Sequence, residues 1–342
     1  MSTNIRKALI SGFGDESNIS VVEGPISKPE RHHVQVRVLY SGFGGSDINM
    51  RLGIYPFQKK APFTPGYCFV GRVHVNGQDS KKFAPGDLVV CLSVYDSEAE
   101  LANVPEKYLI PVPAGVDPQL ATPLILDWNT AYAMVMRTAN VSQGQRVFVH
   151  GMSGAVGYAI TVLSQLQGAE VLGTASPRNH DAIRQMGATP YTYTNKDWIS
   201  AVNELGGVHA VFDALGFESW DESYSILTQK ERSILVGYGT NLSHMTGEAP
   251  RSVAIATTKL LAQNLKICKR RTAFYYISRD DKTFVPDLIA LFDLLKEGKI
   301  QVSVKHIYAL EDVPEAHKSW NKGTGMGSNL VKVAEDTSST QV

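Results

Sequence analysis

The chain has 342 residues, 43% of them hydrophobic and 19% charged, with Lys plus Arg and Asp plus Glu both at 33. A chain of this length holds roughly two domains with full cores, and its balanced charge gives no field favouring DNA, RNA or an anionic membrane surface. No run has the apolar length of a membrane span, so a small molecule is the expected partner.

In the first third of the chain, short runs of alternating character dominate. Val34, Val36 and Val38 alternate with Gln35, Arg37 and Leu39, residues 69–75 form a second strand broken by Gly71, and 88–92 follow the turn Pro85-Gly86-Asp87. These runs predict a β-rich domain. From Asp127 the period becomes helical, with Ala131, Val135 and Met136 on one stripe.

Residues 147–157, VFVHGMSGAVG, carry an apolar strand straight into Gly151, Gly154 and Gly157. Such glycines let the backbone turn tightly and approach a pyrophosphate, whose charge meets the N–H groups and dipole of the next helix. That helix is predicted over 155–167, with Ala159, Ile160, Leu163 and Leu166 on its apolar face and Gly168 as its stop. Met152 replaces the first glycine of the G-x-G-x-x-G fingerprint, and glycine turns also occur without ligands, so the motif alone leaves the site open. The order that follows narrows it: strand 170–175, helix 177–186, strand 209–213, helix 220–228 and strand 232–238. Strands alternating with helices predict a parallel, doubly wound Rossmann sheet with its ligand crevice at the carboxyl ends of the strands.

Further on, Lys269-Arg270-Arg271 reads as the solvated end of a strand over 272–277. A helix is predicted over 287–296, capped by Asp287, striped by Leu288, Leu291, Phe292 and Leu295, and stopped by Gly298. Strand 302–308, helix 313–320 and strand 329–333 make a segment too small to fold alone, expected to return to the first domain. The division is therefore 1–126 with 299–342, and 127–298. The polar tail 334–342 is expected to be disordered.

Cys68, Cys91 and Cys268 form no C-x-x-C pair and lack a histidine at zinc-ligand spacing, so no metal site is expected. Three thiols, and a start MSTNIRKALI without a signal-peptide core, indicate a reducing, cytoplasmic setting. The cofactor is read at the end of strand 170–175, where an acid would bind a ribose 2′-OH and an Arg without an acid would accommodate a 2′-phosphate. Thr174-Ala175-Ser176-Pro177-Arg178 contains no acid, so NADPH is the expected cofactor, with Ser176 and Arg178 on the phosphate. The bland alternative is that Ser176 caps the next helix and Arg178 is solvated.

VHGMSGAVG, preceded by Thr130-Ala131-Tyr132 and followed by VLGTAS, resembles the zinc-independent quinone oxidoreductase (zeta-crystallin-like) branch of the medium-chain dehydrogenase/reductase superfamily. Further matches are Gly44-Gly45-Ser46-Asp47, Pro65-Gly66, Pro85-Gly86-Asp87, FDALG at 212–216 and the closing Leu310-Glu311-Asp312 with Ala316-His317. The resemblance implies a GroES-like substrate domain beside the Rossmann domain. Zinc alcohol dehydrogenases of this superfamily carry Cys where this chain has Gly44 and His-Glu where it has Tyr67-Cys68, so metal-assisted alcohol oxidation is disfavoured.

The resemblance also implies residue roles. Gly151, Ser153, Gly154, Ala155, Val156 and Gly157 fall on the pyrophosphate turn, with Thr174 at the neighbouring strand end. Tyr193 matches a tyrosine near the adenosine phosphate; Thr130, Gly237 and Tyr238 match positions along the nicotinamide. Tyr55 matches a tyrosine associated with catalysis in quinone oxidoreductases and 2-enoyl thioester reductases. A homodimer paired through the nucleotide domain would use residues 265–277.

A nicotinamide without a metal can deliver hydride to a carbon activated by conjugation, while the protein stabilises charge developing on the carbonyl oxygen. Tyr55 can donate a hydrogen bond or proton there, or else pack its ring in the cleft. Asn49, Trp128 and Tyr275 are candidate substrate-lining residues; loop packing, core packing and an edge strand are their respective alternatives. His150 reads as a structural histidine and Asp47 as a residue binding local backbone. The leading function is NADPH-dependent, metal-free reduction of an enone, quinone or enoyl ester. The alternatives are a non-catalytic NADPH-binding protein and a non-redox cyclase or isomerase using the same cleft.

Overall fold

Residues 2–247 and 251–336 are described by the computed structural model of the protein. Alternating sequence builds its first half. Strands β1 (Thr3–Ile10) and β2 (Ile19–Ile26) pair antiparallel and bury Ile5, Ala8, Ile10 and Ile19. The long β3 (His33–Phe43) pairs antiparallel with β4 (Phe69–Asn76) on one side, and β4 continues to β5 (Leu88–Cys91). β6 (Leu101–Pro105) pairs with β3 and β7 (Ile110–Pro111) with β5. The helix α1 (Gly45–Arg51) follows β3 directly, and the connection from α1 to β4 carries Tyr55 and Tyr67.

The helical run that leads into the second half begins at α2 (Pro118–Pro123), earlier than the periodicity change at Asp127 predicts. The reason is local: the Asp117 side chain accepts from the Gln119 N–H, and Pro118 sits in the first turn where its missing N–H costs nothing. The helical run continues through α3 (Asn129–Tyr132), flanked on both sides by wider π turns, to Thr138.

The second half alternates strand and helix: β8 (Arg146–His150), α4 (Ala155–Leu166), β9 (Glu170–Ala175), α5 (His180–Gln185), β10 (Thr189–Thr192), α6 (Trp198–Glu204), β11 (Ala210–Asp213), α7 (Glu218–Ser225), β12 (Ser233–Gly237), α8 (Leu242–Thr246), α9 (Val253–Ala262) and β13 (Arg270–Phe274). The strands form one parallel sheet in the order β10-β9-β8-β11-β12-β13. This is the doubly wound order whose direction reverses between β8 and β11, so the ligand crevice lies beyond their carboxyl ends.

The helix α10 (Phe284–Lys296) then leads to β14 (Val304–Ala309), α11 (Val313–Ser319) and β15 (Ser328–Lys332). β15 pairs antiparallel with Tyr40–Phe43 of β3, so the end of the chain returns to the first sheet. One continuous apolar core joins the halves, running from Val36 and Phe69 through Leu124 and Trp128 to Ile160 and Leu288. A second, with Phe148, Trp198, Val211 and Trp220, fills the other face of the parallel sheet.

Two expectations are corrected, and two elements are added. Asp287 does not cap its helix: α10 starts at Phe284, and the Asp287 carboxylate is buried inside it against Arg137. Ala334, Glu335 and Asp336 are ordered, with Asp336 accepting from Arg72 at 2.7 and 2.8 Å; residues 337–342 lie outside those described. The hairpin β1–β2 and the strand β10 were missing from the sequence reading; β10 is only four residues long and opens on Thr189-Pro190.

Candidate active site

The turn after β8 is set by contacts that only glycine permits. A side chain at Gly157 would meet the Gly151 carbonyl oxygen at 2.1 Å, and Gly151 itself is left-handed at φ 70° with open space above it. The Gly151 N–H is 3.3 Å from the Thr174 hydroxyl, and the Met152 N–H donates to the Thr174 carbonyl at 2.9 Å. Gly154 begins α4 without any side-chain cap, so the amides of Ala155, Val156 and Gly157 face the crevice end with no internal partner. This is a cradle for an anion.

At the crevice floor His150 is fully used. Its Nδ1 lies 3.1 Å from the Thr174 hydroxyl and its Nε2 2.9 Å from the Ser223 hydroxyl, while burial pushes its pKa down. Ser223 and Ser219 both donate to Asp213 at 2.7 Å, and Asp213 also accepts the Leu215 N–H. This network ties β8, β9, β11 and α7 together at the switch point. It leaves His150 a neutral structural residue.

Beyond β9 the cationic residues gather. β10 pairs Thr192 with Ala175, so Ser176 and Tyr193 follow side by side at neighbouring strand tips. Arg178 reaches the Asn321 carbonyl at 3.4 Å. Lys305, from β14, is half-buried there and held below the ordinary lysine range by burial and by the charge of Arg178. Two cations crowded beside a strand end that carries no acid fit an anionic group such as a 2′-phosphate. Sequence reasoning missed Lys305, because only the return of the C-terminal strands brings it to this place.

Across the crevice stand three phenols. The Tyr55 hydroxyl donates to that of Tyr67 at 2.6 Å and lies 3.2 Å from that of Tyr276; Tyr67 and Tyr276 are 3.3 Å apart. The Tyr55 and Tyr67 rings meet edge to face at 5.7 Å. Burial pushes both phenols well above the ordinary tyrosine range, so they stay protonated at neutral pH. Gln58 braces the Tyr55 loop, accepting the Tyr55 N–H at 2.8 Å and donating to the Met50 carbonyl at 3.1 Å. A cavity of about 240 Å³ adjoins it, walled by Ile54 and Pro56 from one half and by Phe217, Thr240, Ser243, Arg251 and Val253 from the other.

The remaining candidates divide. Asn49 is half-buried on α1, its carbonyl accepting the Ile54 N–H. Tyr275 donates its N–H to the Gly237 carbonyl at 2.8 Å and Tyr238 to that of Asp213 at 3.1 Å, both at strand ends facing the crevice. Thr130 is nearly buried on α3. Trp128 is corrected: it is 0% exposed and packs edge-on against Tyr158 in the core. Tyr67 and Tyr276 were missed as cleft residues. Tyr276 lies beside Tyr275 in the run Phe274-Tyr275-Tyr276, and the choice between adjacent positions of an extended segment is a choice between opposite faces. Among the described residues, no three His, Cys, Asp or Glu side chains are grouped to hold a metal ion.

Comparison with known proteins agrees with this architecture. The family described as alcohol dehydrogenase GroES-like domain matches residues 30–114, and that described as zinc-binding dehydrogenase matches 186–331. The synaptic vesicle membrane protein VAT-1 homolog of Danio rerio is 28% identical over 95% of this chain and 69% of its own length. A probable quinone oxidoreductase of Schizosaccharomyces pombe is 25% identical over 96% of this chain and 97% of its own. The Escherichia coli quinone oxidoreductase solved with NADPH superposes with a TM-score of 0.82 at 22% identity, covering 96% of this chain and 100% of that one. No helix among the described residues is long and apolar enough to cross a membrane.

Beneath the phenols lie buried acids. Asp47 accepts from the Gly44 N–H at 2.9 Å, and among the described residues both oxygens of Glu98 lack a hydrogen-bond partner. Burial pushes Asp47 up to about 7, and raises Glu98, where the Asp47 charge adds to the effect. A carboxyl whose folded pKa exceeds its unfolded one holds its proton more tightly when folded. Its stabilising contribution is complete below the unfolded value, near 4, and is lost as pH rises through about 7. Urea unfolding from pH 5 to 8 should therefore show wild type losing stability relative to Asp47→Asn, by up to about 1.4 kcal/mol per pH unit. Parallel curves for the two proteins would contradict this assignment.

Proposed function

The chain belongs to the quinone oxidoreductase type of medium-chain dehydrogenase/reductase, and from that premise we propose an NADPH-dependent, metal-free reductase of activated C=C bonds or quinones. The acceptor class is an enone, quinone or enoyl ester. The observation that carries this reading is the Tyr55 phenol, hydrogen-bonded at 2.6 Å to Tyr67, the residue standing where zinc-dependent relatives place a ligand. Polarisation of the acceptor is thereby a task for phenols.

Bound NADPH supplies hydride to the conjugated carbon. The amides from Ala155 to Gly157 hold the pyrophosphate, with Gly151, Ser153 and Gly154 giving the backbone its close approach and Thr174 fixing the turn. Ser176, Arg178, Tyr193 and Lys305 take the 2′-phosphate, and Thr130, Gly237 and Tyr238 border the nicotinamide. Tyr55 donates to the acceptor oxygen that gains charge. The 240 Å³ cavity beside the Tyr55 loop receives the rest of the acceptor, and Asn49 and Tyr275 remain proposed acceptor contacts.

Several broader assignments accompany this reading. Residues 1–126 with 299–342 form the substrate domain and 127–298 the nucleotide domain. The free thiols Cys68, Cys91 and Cys268 suit the cytoplasm. β13 is an outer strand of the parallel sheet, and Leu265 and Ile267 beside it are 85% and 106% exposed. Such an open edge, with bare apolar side chains, suits pairing with a second copy.

NADPH oxidation followed with quinones, enones and enoyl thioesters should reveal turnover with at least one class, and Tyr55→Phe should lower kcat by about 10²-fold with NADPH affinity intact. Binding without consumption across the panel would instead favour a non-catalytic protein, and product formed without NADPH a cyclase or isomerase. Arg178→Ala should weaken NADPH about tenfold while sparing NADH, as titration by cofactor fluorescence would show; equal loss of both would remove Arg178 from the phosphate site. Sedimentation should give a dimer for wild type and a monomer for Ile267→Asp, whereas a monomeric wild type would refute the edge pairing.

A further inference from the structure

The three phenols come from separate parts of the chain. Tyr55 sits in the loop after α1, Tyr67 just before β4 and Tyr276 just beyond β13, yet their hydroxyls close a triangle with sides of 2.6, 3.2 and 3.3 Å. Each phenol has one proton to give and can accept in return, so the triangle can satisfy itself. Exposure runs across it, from Tyr67 at 2% to Tyr276 at 51%. A buried tyrosine needs some partner for its hydroxyl, and packing alone explains Tyr67. It does not explain Tyr276, whose half-exposed ring has water available and nevertheless reaches across the crevice.

The segment holding Tyr276 is pinned at both ends. The Tyr275 N–H donates to the Gly237 carbonyl at 2.8 Å, and Arg279 donates to the carbonyls of Leu92 and Ser93 at 2.9 and 3.1 Å. The same stretch of the first half fixes Tyr67, whose carbonyl accepts the Val94 N–H at 2.9 Å. The triangle is thus a junction between the two halves, with each vertex anchored by backbone contacts.

We infer that Tyr55, Tyr67 and Tyr276 form one proton-delivery unit, in which Tyr55 donates to the acceptor, Tyr67 stabilises the Tyr55 oxygen, and Tyr276 returns the proton from solvent. This rests on the reductase reading above. The acceptor gains an electron pair with the hydride, and the Tyr55 O–H bond breaks to place its proton on the carbon or oxygen left negative. The hydroxyls of Tyr67 and Tyr276 turn to donate to the Tyr55 oxygen, the Tyr276 proton moves to Tyr55, and Tyr276 takes one from water. One proton and one hydride enter per acceptor reduced. A lone phenolate in this buried setting would be costly, and two charge-assisted donors offset that cost.

The test uses the full-length protein with Tyr67→Phe and Tyr276→Phe, after melting curves and NADPH titration establish that each variant folds and binds cofactor. Both should lower kcat about tenfold with the NADPH KM unchanged. In Tyr276→Phe, kcat should rise with added imidazolium, a small acid replacing the lost port, while wild type should not respond. Wild-type kcat in Tyr276→Phe, or a loss that imidazolium leaves untouched, would overturn the relay. If wild type fails to consume NADPH with every acceptor of the panel, the reductase reading fails and 4-nitrophenolate binding, read by its absorbance, decides the phenol unit separately. About tenfold weaker binding in each variant would sustain it as a site for an oxygen anion; absent or unaltered binding would overturn it.

Discussion

The crevice depends on one close approach, the backbone of Gly157 lying against the carbonyl of Gly151. A methyl group there would stand 2.1 Å from that oxygen, so no other residue fits without moving the turn. Closing the turn aims the first amides of α4 at the carboxyl end of β8, beside the point where the sheet reverses direction. The nearby network of His150, Thr174, Ser223 and Asp213 ties β8, β9, α7 and β11 together from below. An anion cradle held this rigidly needs little reorganisation to bind a pyrophosphate, which keeps its helix-end donors useful.

The opposite wall is built from different chemistry. Tyr67 offers only a hydroxyl, and it accepts from Tyr55. Behind them burial raises the Asp47 and Glu98 carboxyls, Asp47 to about 7. The phenols Tyr55 and Tyr67, raised well above the ordinary tyrosine range, present neutral donors to the crevice. A charged wall would compete with negative charge forming on an acceptor, whereas protonated phenols answer it by hydrogen bonding.

The repeating part of the fold was legible in the sequence because its signals are local. The strand 170–175, the helix beginning at Ala155 and the glycines that follow helices each announce themselves within a dozen residues. Features created by distant contacts were not. Asp287 reads as a helix cap until Arg137, 150 residues away, claims its carboxylate. Lys305 is an ordinary strand lysine until the return of β14 places it near Arg178. Trp128 has the size and position of a pocket residue, but the core between α3 and α4 takes it. The phenol triangle is the extreme case, joining residues 221 positions apart through their hydroxyl tips.

The central claim is that hydride passes in this crevice from NADPH to a conjugated carbon without a metal. The most direct measurement is mass spectrometry of the products formed from an enone and an enoyl thioester with NADPH carrying deuterium at both C4 positions of the nicotinamide, in the presence of a strong chelator. The account predicts one deuterium on the β-carbon of the saturated product. Cofactor binding with no deuterium transferred, or transfer abolished by the chelator, would contradict it.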